Sequence, residues 1–245
     1  MSDYSLAQHF GVNLAELLSS KIKAVYAKFD EQKYIKNIAS KVDELAYSGR
    51  IELHARELNS ALNLDYKDQI EILTSVLGEE NPNETGMFKH YYWVLPIGKF
   101  VELYGLDEFE ISTKAIAEIT KRNTGEYVVR AFIRKYPQKM LEVMQGWAKS
   151  DSFHLRRLAS EGLRPKLPWA SKLEIFIDDP KPVFEILELL KEDSVKFVQR
   201  SVANHISDYL KVNFNAAKEL LEKWEKSGNK NTLWIVKHAT RKIKI

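Results

Sequence analysis

Residues 153–169 read FHLRRLASEGLRPKLPW, a run that sets three arginines, one glutamate and a tryptophan in a helix followed by a turn bounded by Pro165 and Pro168. It opens on an aromatic residue with a cation three positions later, Phe153 then Arg156, with Arg157 beside it. The same order recurs in FVQRS (Phe197, Arg200), in WIVKH (Trp234, Lys237) and more weakly in YVVRA (Tyr127, Arg130). Positions three apart are neighbours on one helix face, so each echo offers a basic group beside an apolar anchor. The echoes begin at 127, 153, 197 and 234, irregular intervals of a size that suits a helical solenoid.

Outward from that stretch, apolar residues recur at three- and four-residue intervals, as in Leu14, Leu17, Leu18, Ile22, Val25 and again in Ile35, Ile38, Val42, Leu45. This period predicts helices over 14–28, 32–47, 50–62 and 66–77. The segment GEENPNETG, 78–86, has turn formers and no apolar period, so it is a loop that separates the first helix pairs from the rest. Beyond it come the aromatic cluster His90, Tyr91, Tyr92, Trp93, a helix through 97–103 and Gly105 as its C-terminal cap. Further helices are expected at 112–123, 126–134, 138–149, 153–163, 182–191, 195–211, 216–226 and 232–243. No segment shows sustained strand alternation. The expected fold is all-α, a HEAT-like repeat α-solenoid of antiparallel helix pairs. It would form one domain over 1–245, acidic in its first pairs (1–86), with the site in basic repeats (87–245).

The chain of 245 residues, 44% of them apolar, is long enough to bury a full core. It has no run of about 18 apolar residues, and its start, MSDYSLAQHF, lacks a signal-peptide pattern, so a soluble cytoplasmic protein with no membrane partner is expected. The absence of cysteine excludes disulfides, thiolate zinc sites and a cysteine nucleophile. A net charge of +3 conceals a sharp asymmetry: residues 1–120 carry 12 Lys+Arg against 19 Asp+Glu, and residues 121–245 carry 25 against 15. A polyanion would dock on the second half.

No Gly-rich phosphate loop, GxSxG elbow or HExxH is present, and the six histidines at 9, 54, 90, 154, 205 and 238 show no metal-ligand spacing. What remains is carboxylates among cations: Glu126, Glu161 and Asp208 each lie in or beside a basic repeat helix. Glu126 precedes Arg130 by four residues, and Glu161 stands four after Arg157 and three before Arg164, so ordinary helix ion pairs account for both as well. Trp169 has a structural reading too, as a core aromatic. The cations have theirs as a solvated helix face, although their recurrence at matching positions favours a phosphate-binding surface.

TGEYVVRAFI, HLRRLASEGLRPKLPWA, VQRSVANHISDYLK and TLWIVKHATR, in that order, resemble the DNA alkylation repair glycosylases of the AlkC type, relatives of the AlkD group. FGVNLAELLSSKI, FDEQKYI and LPIGKFVELYGLDEF fit as well, so the resemblance spans nearly the whole chain. It implies a HEAT-like fold with a concave basic face for double-stranded DNA containing alkylated bases. It also implies hydrolysis of the N-glycosidic bond of a base such as 3-methyladenine, by a monomer without metal, cofactor or lyase chemistry. The family's active-site groups fall on Glu126, Glu161, Asp208 and Trp169, and its phosphate contacts on Arg130, Arg156, Arg157, Arg164, Arg200, Lys237 and Arg241. Some members carry a C-terminal immunoglobulin-like domain, which a chain ending at Ile245 is expected to lack. Exchanging Glu161 for Gln is expected to slow base release with little change in melting temperature. A non-catalytic scaffold binding DNA or a protein through the same face stays open, since helical repeats host many binding functions.

Overall fold

The computed structural model describes residues 6–86 and 88–241, and among them there is no β-strand. The chain divides into two compact units, Met1–Thr124 and Gly125–Ile245. The first holds α1 (Val12–Val25), α2 (Glu31–Ala39), α3 (Tyr47–Leu62), α4 (Tyr66–Ser75), α5 (Phe88–Tyr91), α6 (Leu95–Tyr104) and α7 (Phe109–Thr120). The second holds α8 (Val128–Lys135), α9 (Pro137–Trp147), α10 (Phe153–Glu161), α11 (Lys181–Leu190), α12 (Lys196–Val212), α13 (Phe214–Glu225) and α14 (Lys230–Thr240).

In the first unit the period of four seen in the sequence becomes burial: Leu14, Leu18 and Ile22 form one inaccessible stripe of α1. Asp30 caps α2 by accepting from the Lys33 amide at 3.0 Å. The helix expected over 32–47 stops at Ala39 instead, although Val42 beyond it is buried. There the Ser40 hydroxyl donates to the Asn37 carbonyl at 2.9 Å, and Val42–Glu44 form a 3-10 turn before α3 begins. A serine that bonds its own backbone offers the chain an alternative to the helix ladder. Gly105 does end α6, yet its φ of −96° is not left-handed. Its lack of a side chain serves close packing, since a Cβ there would stand 2.3 Å from the Tyr66 hydroxyl.

Residues 78–86 are a loop that is tied back to the end of α7. The Asn81 amide donates to the Lys121 carbonyl at 2.9 Å, and both terminal faces of the Arg122 guanidinium are used, toward Gly78 O at 2.7 Å and Glu118 Oε2 at 2.6 Å. These bonds keep the loop inside the first unit, and the division between units falls at Thr124.

In the second unit, α9 with α10, α11 with α12, and α13 with α14 are successive pairs joined by short turns, and α10, α12 and α14 pack side by side. Pro137 at the start of α9 and Asn229 before α14 mark helix starts as their chemistry requires. The α11–α13 contact is pinned by Glu188, which accepts from Lys191, Lys223 and the Trp224 indole at 2.7–2.9 Å. Burial pushes that carboxyl up, but the three donors outweigh it and hold it down at about 2. The helix expected over 232–243 ends at Thr240 with Arg241 as its C-cap, and residues 242–245, like Met87, lie outside the described ones. No helix among the described residues is long and apolar enough to cross a membrane.

Candidate active site and nucleic-acid interface

A line of alternating charge runs through the second unit. Glu126, just ahead of α8, pairs with Arg157 on α10. Arg157 lies 3.4 Å from Glu161 one turn along the same helix, and Glu161 Oε1 accepts from Arg164 at 2.6 Å. Arg164 turns its Nε to Asp208 Oδ2 on α12 at 2.8 Å. The Glu161 pairs are those its spacing from Arg157 and Arg164 allows. Glu126 reaches beyond its own helix as well: α8 starts at Val128, and the carboxylate ahead of it meets Arg157 of the next pair. Three carboxylates and two guanidiniums thus converge from separate repeats, all of them largely shielded from water: Glu161 and Asp208 are each 5% exposed.

The two inner carboxylates differ in their donors. Glu161 Oε2 also accepts from the Ser201 hydroxyl at 2.6 Å. Burial would raise its pKa, yet Arg157, Arg164 and Ser201 together lower it, so Glu161 is a fixed negative charge. Asp208 is served on Oδ2 by Arg164, whereas its Oδ1, among the described residues, faces only Lys211 Nζ at 4.0 Å. Burial dominates there, aided by the charge of Glu161, and the Asp208 carboxyl is raised. Environments that push two neighbouring carboxyls in opposite directions also suit them to different tasks. Under this line His205 is wholly buried, neutral with its pKa pulled down to about 3 by burial and by Arg164.

Arg164 opens the loop from α10 to α11, and the same loop carries Trp169. Leu167, Leu173 and Phe176 anchor the loop in the core, while Trp169 stands 96% exposed. The Ala170 amide donates to the Leu167 carbonyl at 3.3 Å, closing a four-residue turn with Pro168 second and Trp169 third at φ +64°. That is a type II turn, whose third position normally holds glycine. Trp169 is therefore neither a core aromatic nor in contact with the carboxylates; it is held out to solvent from a loop that shares Arg164 with them.

The seven cations expected to meet phosphate separate into two groups. Arg156 is taken up by Asp193 at 2.6 Å and by the carbonyls of Ser150 and Asp151 at 2.9 Å. Arg157 and Arg164 belong to the charge line. Arg130 is 2% exposed and donates to the carbonyls of Gly162, Arg164 and Ser171, at 3.3, 2.8 and 2.6 Å, so its guanidinium faces the loop and not solvent. Arg200, Lys237 and Arg241, by contrast, are exposed on α12 and at the end of α14, and none has a carboxylate partner among the described residues.

The aromatic-cation pattern is also realised differently from its reading on single helices. Arg157 of α10 lies 5.0 Å over Phe197 of α12, and Lys196 of α12 lies 3.8 Å over Trp234 of α14, so each ring carries a cation from the preceding pair. Lys196, Ser201 and Arg134 escaped the sequence reading; only Lys196, abutting the aromatic of FVQRS, carried any signal there. Trp234 stacks in turn on His238, 4.8 Å between centroids. The His238 pKa is lowered by burial and then by the neighbouring Arg241, Arg200 and Lys196. Among the described residues, no three or more His, Asp and Glu are grouped to hold a metal ion.

The profile of a family described as DNA alkylation repair enzyme matches residues 106–243. An uncharacterized protein of Bacillus subtilis, YhaZ, is 31% identical over 97% of this chain and 64% of its own. Among solved structures, the Pseudomonas fluorescens alkylpurine DNA glycosylase AlkC, bound to DNA containing an abasic site analog, matches with a TM-score of 0.88 at 33% identity. That match covers 97% of this chain and 64% of the other, and the shared all-helical architecture is a HEAT-like repeat. The chain thus spans 64% of the length of either relative.

Proposed function

The chain belongs to the DNA alkylation repair enzyme family, and from that premise we propose that it is a glycosylase acting on bases made cationic by alkylation at a ring nitrogen, 3-methyladenine among them. The observation that carries the reading is the convergence of Glu161 and Asp208 on Arg164, with the exposed Trp169 on the same loop. In such a base the glycosidic electron pair leaves with the ring and neutralises it, so little acid catalysis is needed. Positive charge then develops on the sugar, where preorganised carboxylates stabilise it.

Glu161, Arg157 and Arg164 supply fixed electrostatics in this scheme. Asp208 Oδ1, with no hydrogen-bond donor among the described residues, takes the proton of the water that attacks the sugar carbon. Trp169 offers an aromatic face to the cationic nucleotide. Arg200, Lys237, Arg241 and Lys196 meet the phosphates of double-stranded DNA, while Arg130 and Arg156 shape the loops that bear the site. A binding-only reading draws on the same network, because Glu126 and Glu161 are engaged by arginines as they would be in a purely structural lattice.

Incubation with N-methylated duplex DNA, followed by chromatography of the released bases, separates the two. Release of 3-methyladenine well above the spontaneous rate, lost on Asp208→Asn, is expected. Binding to the duplex without release would remove the enzymatic reading.

A further inference from the structure

Two arginines of α8 face the loop that carries Trp169, and one of them has no part in the chemistry above. Arg130 closes the base of that loop from within, joining its first limb at Gly162 and Arg164 to its last limb at Ser171. Arg134, one turn further along α8 and exposed, sends a single terminal nitrogen to Ser171 Oγ at 2.6 Å, to Lys172 O at 3.2 Å and to Ser171 O at 3.4 Å. Ser171 follows directly on the turn Leu167–Ala170 whose third residue is held at φ +64°.

A non-glycine residue in that region costs about 1–2 kcal/mol, so the turn would relax unless the surrounding structure fixes both of its ends. On the incoming side Leu167 is buried, and the Leu173 amide donates to the Pro165 carbonyl at 3.0 Å. On the outgoing side, at Ser171 and Lys172, the donors come from Arg130 and Arg134. We propose that Arg134, backed by Arg130, is a positioning residue that clamps the outgoing end of this turn and thereby fixes the stance of Trp169 toward DNA. The proposal rests on the reading of Trp169 as the residue that meets the damaged nucleotide.

Arg134→Ala on the full chain tests it, since the side chain is exposed and the fold should survive. Without DNA, tryptic cleavage after Lys166 and Lys172 should accelerate several-fold at an unchanged melting temperature, and Arg134→Lys, which keeps a donor, should restore much of the protection. With methylated duplex, single-turnover release of 3-methyladenine should fall by roughly tenfold, the size of effect expected of a displaced positioning group, with affinity for undamaged duplex unaltered. In a Trp169→Ala background the further exchange of Arg134 should change nothing, because its action runs through that ring. Unchanged proteolysis, or a full effect in the Trp169→Ala background, would overturn the clamp. So would a drop in affinity for undamaged DNA with a smaller salt slope, the mark of a phosphate contact. The proteolysis arm reads the clamp even if the wild-type protein releases no base, so failure of the glycosylase reading and failure of the clamp are told apart.

Discussion

Glu161 is held by Arg157, Arg164 and Ser201 at once, and this crowding decides what its replacement can report. An amide in its place keeps the shape but removes the negative charge between two guanidiniums, which keep Glu126 and Asp208 as their other partners, and losing that buried partner costs about 1–3 kcal/mol. Glu161→Gln should therefore lower the melting temperature as well as slow base release by about tenfold or more, where the conserved shape of the amide alone leads one to expect a nearly unchanged melting temperature. Thermal melts beside single-turnover rates check both. Asp208 offers the cleaner probe, because its chemistry can be read through pH. Its carboxyl is raised by burial and by Glu161, and only the ionised form accepts a proton, so base release should fall as pH drops through that raised value. In Asp208→Asn the residual rate should be flat over the same range; an unchanged profile would remove Asp208 from the chemistry. The stability signs are opposite. Glu161, depressed, adds stability at neutral pH that is lost on acidification through its folded pKa, whereas Asp208, raised, subtracts stability wherever it is ionised in the native state.

At the scale of helices, the row α10, α12, α14 puts on α12 and α14 exposed cations that have no carboxylate partner among the described residues, and leaves the paired ones inside. Reversing Arg200 to Glu should weaken binding to undamaged duplex and reduce the slope of log K against log salt, whereas the same change at Arg156 should act mainly on stability, through Asp193. Equilibrium binding at several salt concentrations distinguishes them, and a salt-independent affinity would argue against a phosphate surface. The tight seat of α10 is testable too: Gly162→Ala would bring a Cβ to 2.8 Å from Val129 Cγ2 and 3.1 Å from Met144 Cε, and should cost about 1–3 kcal/mol in a denaturant melt. These elements were legible in the sequence because a buried stripe leaves a period, as at Leu14, Leu18 and Ile22. Where a helix stopped for a local reason, as α2 does at Ser40, the period ran on and misled. The candidate site was legible only in part for a related reason. Spacing along one helix gave Glu161 with Arg157 and Arg164, but the partners of Glu126, Asp208, Phe197 and Trp234 come from other repeats, and no single-helix pattern encodes them. Arg130 shows the same limit, since its cation spacing is regular while its guanidinium points into the fold.

Across the whole molecule the candidate groups lie in one unit, Gly125–Ile245, and the charges there are of two kinds. Outward-facing cations without carboxylate partners suit a polyanion of any sequence; the buried line, with three carboxylates against two guanidiniums, suits a cation at one point. On the proposed reading, such an apparatus would stabilise charge and position a water without a strong acid for a poor leaving group. The lesion must then bring its own activation. 3-Methyladenine does so, because its ring is positive before the bond breaks and neutral afterwards, while uracil and hypoxanthine leave as anions unless they are protonated. Base release should therefore be confined to cationic N-alkylated bases, with the neutral lesions left intact in the same duplex context. Strand scission should be absent as well, since a lyase step needs an amine nucleophile, and the lysine near the line, Lys211, faces Asp208 Oδ1 at 4.0 Å as its ionic partner. Measuring released base and strand breaks side by side on uracil, hypoxanthine and 3-methyladenine substrates tests both statements. Efficient uracil removal would show that an acid is at work in the site, and borohydride trapping of a protein–DNA adduct, lost on Lys211→Ala, would make that lysine the nucleophile.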